Sequence, residues 1–269
     1  MRKTRLAALG IAAAVAAGAL FQVPASPFAR NGYPERPVVN TATDSSKPGA
    51  ARPDSSTDPS RSAMPRGEKA PGQGAPEITY PVRGTGGFTV LPGDPATIGK
   101  AGKVFTFQVA VEGGIRGIDR PAFARFVRET YGAPQGWASR GLYRFRQVGP
   151  GEAADYRLML VTPATRDVLC GGGFDQYTSC RIGDRVVLNV ARWAKGVPNY
   201  GASLATYRQY MINHETGHRL GRGHELCPGP GQPAPVMEQQ TLGLHGCTAY
   251  AWPYLNGQRY KGPLGQYND

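Results

Sequence analysis

The first 169 residues of the chain contain no cysteine, and all 269 residues include only four histidines. With no cysteine after the N-terminal segment, lipoprotein attachment there is excluded, and so is latency by a thiol from that half of the chain. Long apolar runs are also scarce. The best, Leu6 to Phe21, is Ala-rich and too short and weakly apolar for a comfortable membrane span. A dense basic run and the stacking-aromatic motifs of RNA readers are missing as well, so the net charge of +12 does not point to nucleic acid. From Tyr80 onward, 21 Lys and Arg stand against 13 Asp and Glu, a dispersed excess of 8. Such an excess suits attraction to an anionic surface such as a bacterial envelope, or plain solubility.

Arg2, Lys3 and Arg5 followed by the Leu6–Phe21 run and Val23-Pro24-Ala25 make a targeting segment over residues 1–25. Cleavage after Ala25 is the first reading and retention as an uncleaved N-terminal anchor the second. The chain contacts a membrane only in the second case. Either way the expected location is secreted or cell-envelope associated, outside the cytoplasmic membrane. Residues 26–77 are rich in Pro, Ser, Gly and Thr and poor in apolar groups, so they are expected to be a disordered linker. The linker is a spacer in one reading and an activation segment in the other. The folded domain is expected over 78–269 and is read as a monomer.

Within it, Val104–Val111 reads as a strand, and Asp119-Arg120-Pro121 opens a helix whose apolar face is Phe123, Phe126, Val127 and Tyr131. Leu142–Val148, Tyr156–Val161 and Arg185–Val190 follow as three more strands. A helix from about Ser203 to Leu220 then carries Tyr207, Met211, His214 and His218 on one stripe. Strand, helix, three strands and a helix describe an α+β layered domain.

The chemistry concentrates in Asn213-His214-Glu215-Thr216-Gly217-His218-Arg219-Leu220-Gly221-Arg222-Gly223-His224, which holds three of the four histidines. His214 and His218 are four apart and share a helical face, so both imidazoles reach one ion. Gly221 can leave helical geometry and let the chain bring His224 to the same point. Three neutral imidazoles with one open position form the ligand set of a catalytic zinc site.

His-Glu-x-x-His-x-x-Gly-x-x-His, complete from His214 to His224, resembles the zinc motif of the metzincin clan of metallopeptidases. Pro235-Val236-Met237-Glu238 resembles the methionine turn beneath the metal in that clan. The rest of the chain is similar to secreted metzincin-like proteins of high-GC Gram-positive bacteria. The resemblance implies a metzincin-like zincin fold: a twisted mixed sheet with a backing helix, a zinc-site helix under it, and a small C-terminal subdomain carrying Met237. It also implies a single catalytic Zn2+ on His214, His218 and His224 and a peptide or protein substrate added to an outer strand. The segment between Cys170 and Cys180 is the candidate for that rim.

Four cysteines in an exported chain favour disulfides. Of the three connectivities, Cys170–Cys180 with Cys227–Cys247 closes the two local loops and is expected. In the mechanism that the ligand set suggests, zinc acidifies a water molecule, Glu215 takes its proton as general base, and the proton passes to the leaving amine. Glu225 is read as half of a surface ion pair and His245 as structural or exposed; Tyr250 and Tyr254 are read first as core residues and second as the source of transition-state assistance. The resulting expectation is an exported zinc endopeptidase. The alternatives are a hydrolase of cell-wall peptide crosslinks and a non-catalytic envelope module stabilised by zinc.

Overall fold

A computed structural model describes residues 76–171 and 175–268. The targeting segment and nearly all of the linker, residues 1–75, lie outside the described residues. In chain order the elements are β1 (Phe88–Val90), β2 (Thr97–Ile98), β3 (Lys103–Glu112), α1 (Arg120–Gly132), β4 (Tyr143–Gln147), β5 (Tyr156–Val161) and α2 (Pro163–Cys170). They continue with β6 (Cys180–Ile182), β7 (Arg185–Asn189), α3 (Val190–Lys195), α4 (Leu204–Arg219), β8 (Tyr254–Leu255) and β9 (Gln258–Arg259).

The sheet is mixed, as expected. Its order is β2-β4-β3-β5-β7-β6, with β1 paired to the end of β3. β4, β3, β5 and β7 run parallel, whereas β2, β1 and β6 join antiparallel. Because strand side chains alternate between faces, β3 sends Phe105, Phe107, Val109 and Val111 to one core, shared with α1 and α4. Ala110 of β3, Met159, Val161 and Val187 face a smaller core on the side of Leu169 and the Cys170–Cys180 pair. With both faces covered, the central strands are apolar almost throughout.

Asp119 caps α1 by accepting from Ala122 N–H at 2.9 Å, and Pro121 occupies the first turn. The expected strand at Arg185–Val190 ends one residue early. There the Asn189 side chain accepts from Ala191 N–H at 2.9 Å and starts α3, which brings Trp193 edge-on against Phe123 and Phe126. Helix α2 was not expected; Pro163 in its first turn is separated from β5 only by the N-cap residue Thr162. The 0 %-exposed Glu112 carboxylate accepts from Thr162 N–H (2.7 Å), Thr162 Oγ1 (2.9 Å) and Thr165 Oγ1 (2.6 Å), so β3 satisfies the start of α2.

Helix α4 is locked into the core by polar bonds along its length. Tyr156 Oη donates to Tyr131 Oη at 2.9 Å, and Tyr131 meets Thr216 Oγ1 at 2.9 Å, joining β5, α1 and α4. Trp137 Nε1–H donates to the Asn213 carbonyl at 3.0 Å, and Asn213 Nδ2 donates to the Ala251 carbonyl at 2.9 Å. Beyond α4 the chain is mostly irregular, held by the Cys227–Cys247 disulfide and the β8–β9 hairpin. Both disulfides have the expected pairing, and two closed bridges suit an oxidising environment.

Candidate metal centre

Ser203 begins α4 by accepting from Thr206 N–H at 3.1 Å, and the helix ends in a Schellman arrangement. Arg222 N–H reaches the Gly217 carbonyl at 2.9 Å, Gly221 N–H reaches that of His218 at 3.1 Å, and Gly221 has φ +81°. Three residues after Gly221, His224 faces back toward the helix. The His218 Nε2 atom lies 3.2 Å from His214 Nε2 and 3.1 Å from His224 Nε2.

The other ring nitrogens fix the tautomers. His214 Nδ1 meets the Val236 carbonyl at 2.8 Å, His218 Nδ1 the Arg222 carbonyl at 2.8 Å, and His224 Nδ1 the Gln266 Oε1 at 3.0 Å. All three partners accept, so every Nδ1 carries its proton and every Nε2 presents a lone pair. Burial pushes His218 down to about 4, and it also lowers His214 and His224, so the three rings are neutral near pH 7. Three lone pairs converge with no proton between them, a repulsive arrangement that a cation relieves. The spacing fits: a tetrahedral ion about 2.05 Å from each nitrogen sets them about 3.3 Å apart.

The chain turns at Pro235–Glu238. Glu238 N–H bonds the Pro235 carbonyl at 2.9 Å, and the Met237 carbonyl accepts from Glu225 N–H at 3.1 Å. The turn thus orients the first histidine through Val236 and anchors the segment leaving the third. Met237 is 0 % exposed and packs against Gly217, where a β-carbon would collide with its Sδ. That contact explains a glycine inside α4.

Glu215 and the triad line one cleft of about 350 Å³, together with Arg166, Thr178, Ser179, Arg181, Tyr210, Gln239, Thr241 and Leu242. Burial raises the Glu215 carboxyl to about 8, against the opposing pull of Arg166 and Arg181. Arg166 is held by its α2 neighbour Asp167 (3.1 Å) and by Asp175 (2.6 Å), which lies in the loop that the Cys170–Cys180 disulfide closes.

Two expectations need correction or refinement, on the rim strand and on Glu225, while His245 and Tyr254 lie as expected. The outer strand is β6, Cys180–Ile182, and the described part of the segment before it is a loop tied down by Asp175, which accepts from Tyr177 and Thr178 N–H. Glu225 does pair with Arg259, at 2.8 Å, but the pair is buried: Glu225 is 6 % exposed because the C-terminal segment covers it. His245, outside the triad, is exposed and stacks on Tyr267. Tyr254 is 4 % exposed and accepts through its carbonyl from Tyr250 Oη at 2.7 Å, as core residues do. The reading of the motif missed Gln266, Arg166 and Arg181. No spacing rule announces Gln266, 42 residues from its partner, whereas the two arginines flanking Cys170–Cys180 were visible beside the predicted rim.

Fold and site together define an α+β protein with a three-histidine cluster able to hold a metal. A family model described as "Protein of unknown function (DUF3152)" matches residues 74–255, and the chain belongs to that family. Neither the curated proteins nor the solved structures gave a match.

Proposed function

We propose that the chain is an exported zinc-dependent endopeptidase of metzincin type, with His214, His218 and His224 as ligands and Glu215 as general base. The observation that carries the reading is the convergence of three unprotonated Nε2 atoms in an open cleft, beside a carboxyl that needs no metal-binding role. A zinc ion held there supplies acidification of a water molecule to a pKa of about 7 and polarisation of a carbonyl.

The chain's own groups do the rest. Glu215 sits one position after the first ligand, and its raised carboxyl takes and returns a proton near neutrality, which suits a base that later acts as an acid toward the leaving amine. Strand β6 ends the sheet, and its outer backbone groups suit an extended peptide added as a further strand. Gln239 lies two residues after Met237, so no tyrosine stands at that position to serve a developing oxyanion. The two disulfides support export, and Cys227–Cys247 braces the segment that carries Met237.

The test is cleavage of an unfolded protein mixture by the zinc-loaded full chain beside Glu215→Ala. Cleavage by the parent alone is expected. Zinc bound at one per chain with no cleavage by either form would favour a non-catalytic, zinc-stabilised module.

A further inference from the structure

Apart from the triad, three charged side chains line the cleft: Glu215, Arg166 and Arg181. Arg166 is neutralised by Asp167 and Asp175 and also donates to Thr178 Oγ1 at 2.6 Å. Arg181 is exposed and, among the described residues, forms no hydrogen bond or ion pair.

The direction of Arg181 follows from the register of β6 on β7. Arg181 lies opposite Val186, and directly opposed residues of an antiparallel pair share a face. Val186 belongs to the core shared with α4, the helix that carries His214 and His218. Cys180 lies opposite Val187, in the smaller core on the other face, and Ile182 follows Cys180 by two and points the same way. Arg181 is therefore the one residue of β6 that projects on the side of the zinc helix.

We propose that Arg181 is a specificity-determining residue that selects substrates carrying a carboxylate close to the bond held at the triad. The proposal rests on the peptidase reading and names its substrate class. A guanidinium presents donors in a fixed fork that matches a carboxylate, and one left unpaired beside a cleft lacks only the acceptor. The other walls, Thr178, Ser179, Gln239, Thr241 and Leu242, are neutral and neither compete for Arg181 nor favour a basic side chain. A Lys or Arg on the substrate would meet Arg181 as a like charge, so the site discriminates by attraction and by repulsion.

The test uses the full zinc-loaded chain with Glu215→Ala, which removes the proposed base so that peptides are retained rather than cut. A synthetic library of randomised decapeptides is passed over this protein, over its combination with Arg181→Glu, and over its combination with Arg181→Gln. The bound pools are then sequenced by mass spectrometry. Acidic residues are expected to be enriched about tenfold over basic ones on the first protein, with the bias gone in the Gln form and inverted in the Glu form. An acid-to-base ratio that is the same on all three proteins, or retention of no peptide by any of them, overturns the assignment. Cleavage of the same library by the parent chain separates the two claims. Cleavage with unbiased retention sinks the role of Arg181 and leaves the peptidase, whereas biased retention without cleavage sinks the peptidase and leaves the carboxylate site.

Discussion

His224 is the member of the histidine triad that helix α4 does not hold, and its position depends on the C-terminal tail. The tail meets the loop in a short antiparallel bridge, Glu225 opposite Leu264, with Gly265 N–H on the His224 carbonyl at 3.1 Å and Leu226 N–H on the Pro263 carbonyl at 2.8 Å. Gln266 Oε1 then accepts from His224 Nδ1–H at 3.0 Å. All of these tail residues lie beyond residue 255, where the family match ends. Loss of a partner that orients a histidine ligand costs about 10–100-fold in metal affinity. The Gln266 bond is exposed and the backbone bonds survive its removal, so Gln266→Ala belongs at the low end, about tenfold, or about 1.4 kcal/mol. Truncation after Lys261 removes the side chain and both backbone bonds, and about 100-fold is expected. The assay is competition for zinc against a chromophoric chelator at neutral pH, with metal-free unfolding of Gln266→Ala as a check that the fold is intact. Affinity unchanged within about twofold in the truncated chain would refute the anchoring role of the tail.

Three further outcomes follow from packing and burial. Glu215 in the metal-free chain is raised from 4.5 to about 8, so across that window the native state keeps a proton that the unfolded chain has released, and stability falls as pH rises. Urea unfolding in chelator from pH 5 to pH 8 should show Glu215→Gln gaining about 3 kcal/mol on the parent, and parallel curves would rule out burial as the cause. Gly217→Ala gains about 1 kcal/mol of helix propensity, but its β-carbon meets the buried Met237 and, at 3.1 Å, Trp137. Overpacking of about 1–3 kcal/mol leaves it net destabilised by about 1 kcal/mol in thermal unfolding, and the sign should reverse in a Met237→Ala background. Glu112→Gln turns an amide toward donors that the carboxylate now accepts, so a loss of about 2–3 kcal/mol in chemical unfolding is expected, and a neutral result would show that the cluster relaxes freely.

The long elements were readable because each carries its own local signal. Asp119 and Pro121 mark the start of α1, Ser203 and Gly221 bracket α4, β-branched and aromatic residues mark β3, and apolar runs mark β5 and β7. Both disulfides were accessible from loop closure alone. Strand β6 begins at the end of the segment expected as the rim, and its bounds were not legible because it has three residues and no periodicity to detect; only its pairing with β7 defines it. Helix α2 was missed because its N-cap residue Thr162 makes no side-chain cap and is itself held by Glu112, 50 residues earlier. Glu225 looked like a surface charge because the segment that buries it is folded back from 34 residues downstream. At the centre, the histidine spacing named the three rings, but their tautomers came from carbonyls of Val236 and Arg222 and the amide of Gln266, which no spacing predicts.

The most direct test of the metal centre is zinc content. The full chain is dialysed against zinc and then metal-free buffer, and metal is counted per protein in the parent, in each of His214→Ala, His218→Ala and His224→Ala, and in His245→Ala. One zinc per chain in the parent and in His245→Ala, with loss in all three triad variants, is the expected result. A parent without zinc, or zinc that survives removal of the triad histidines, would contradict the reading of three converging lone pairs as a metal site.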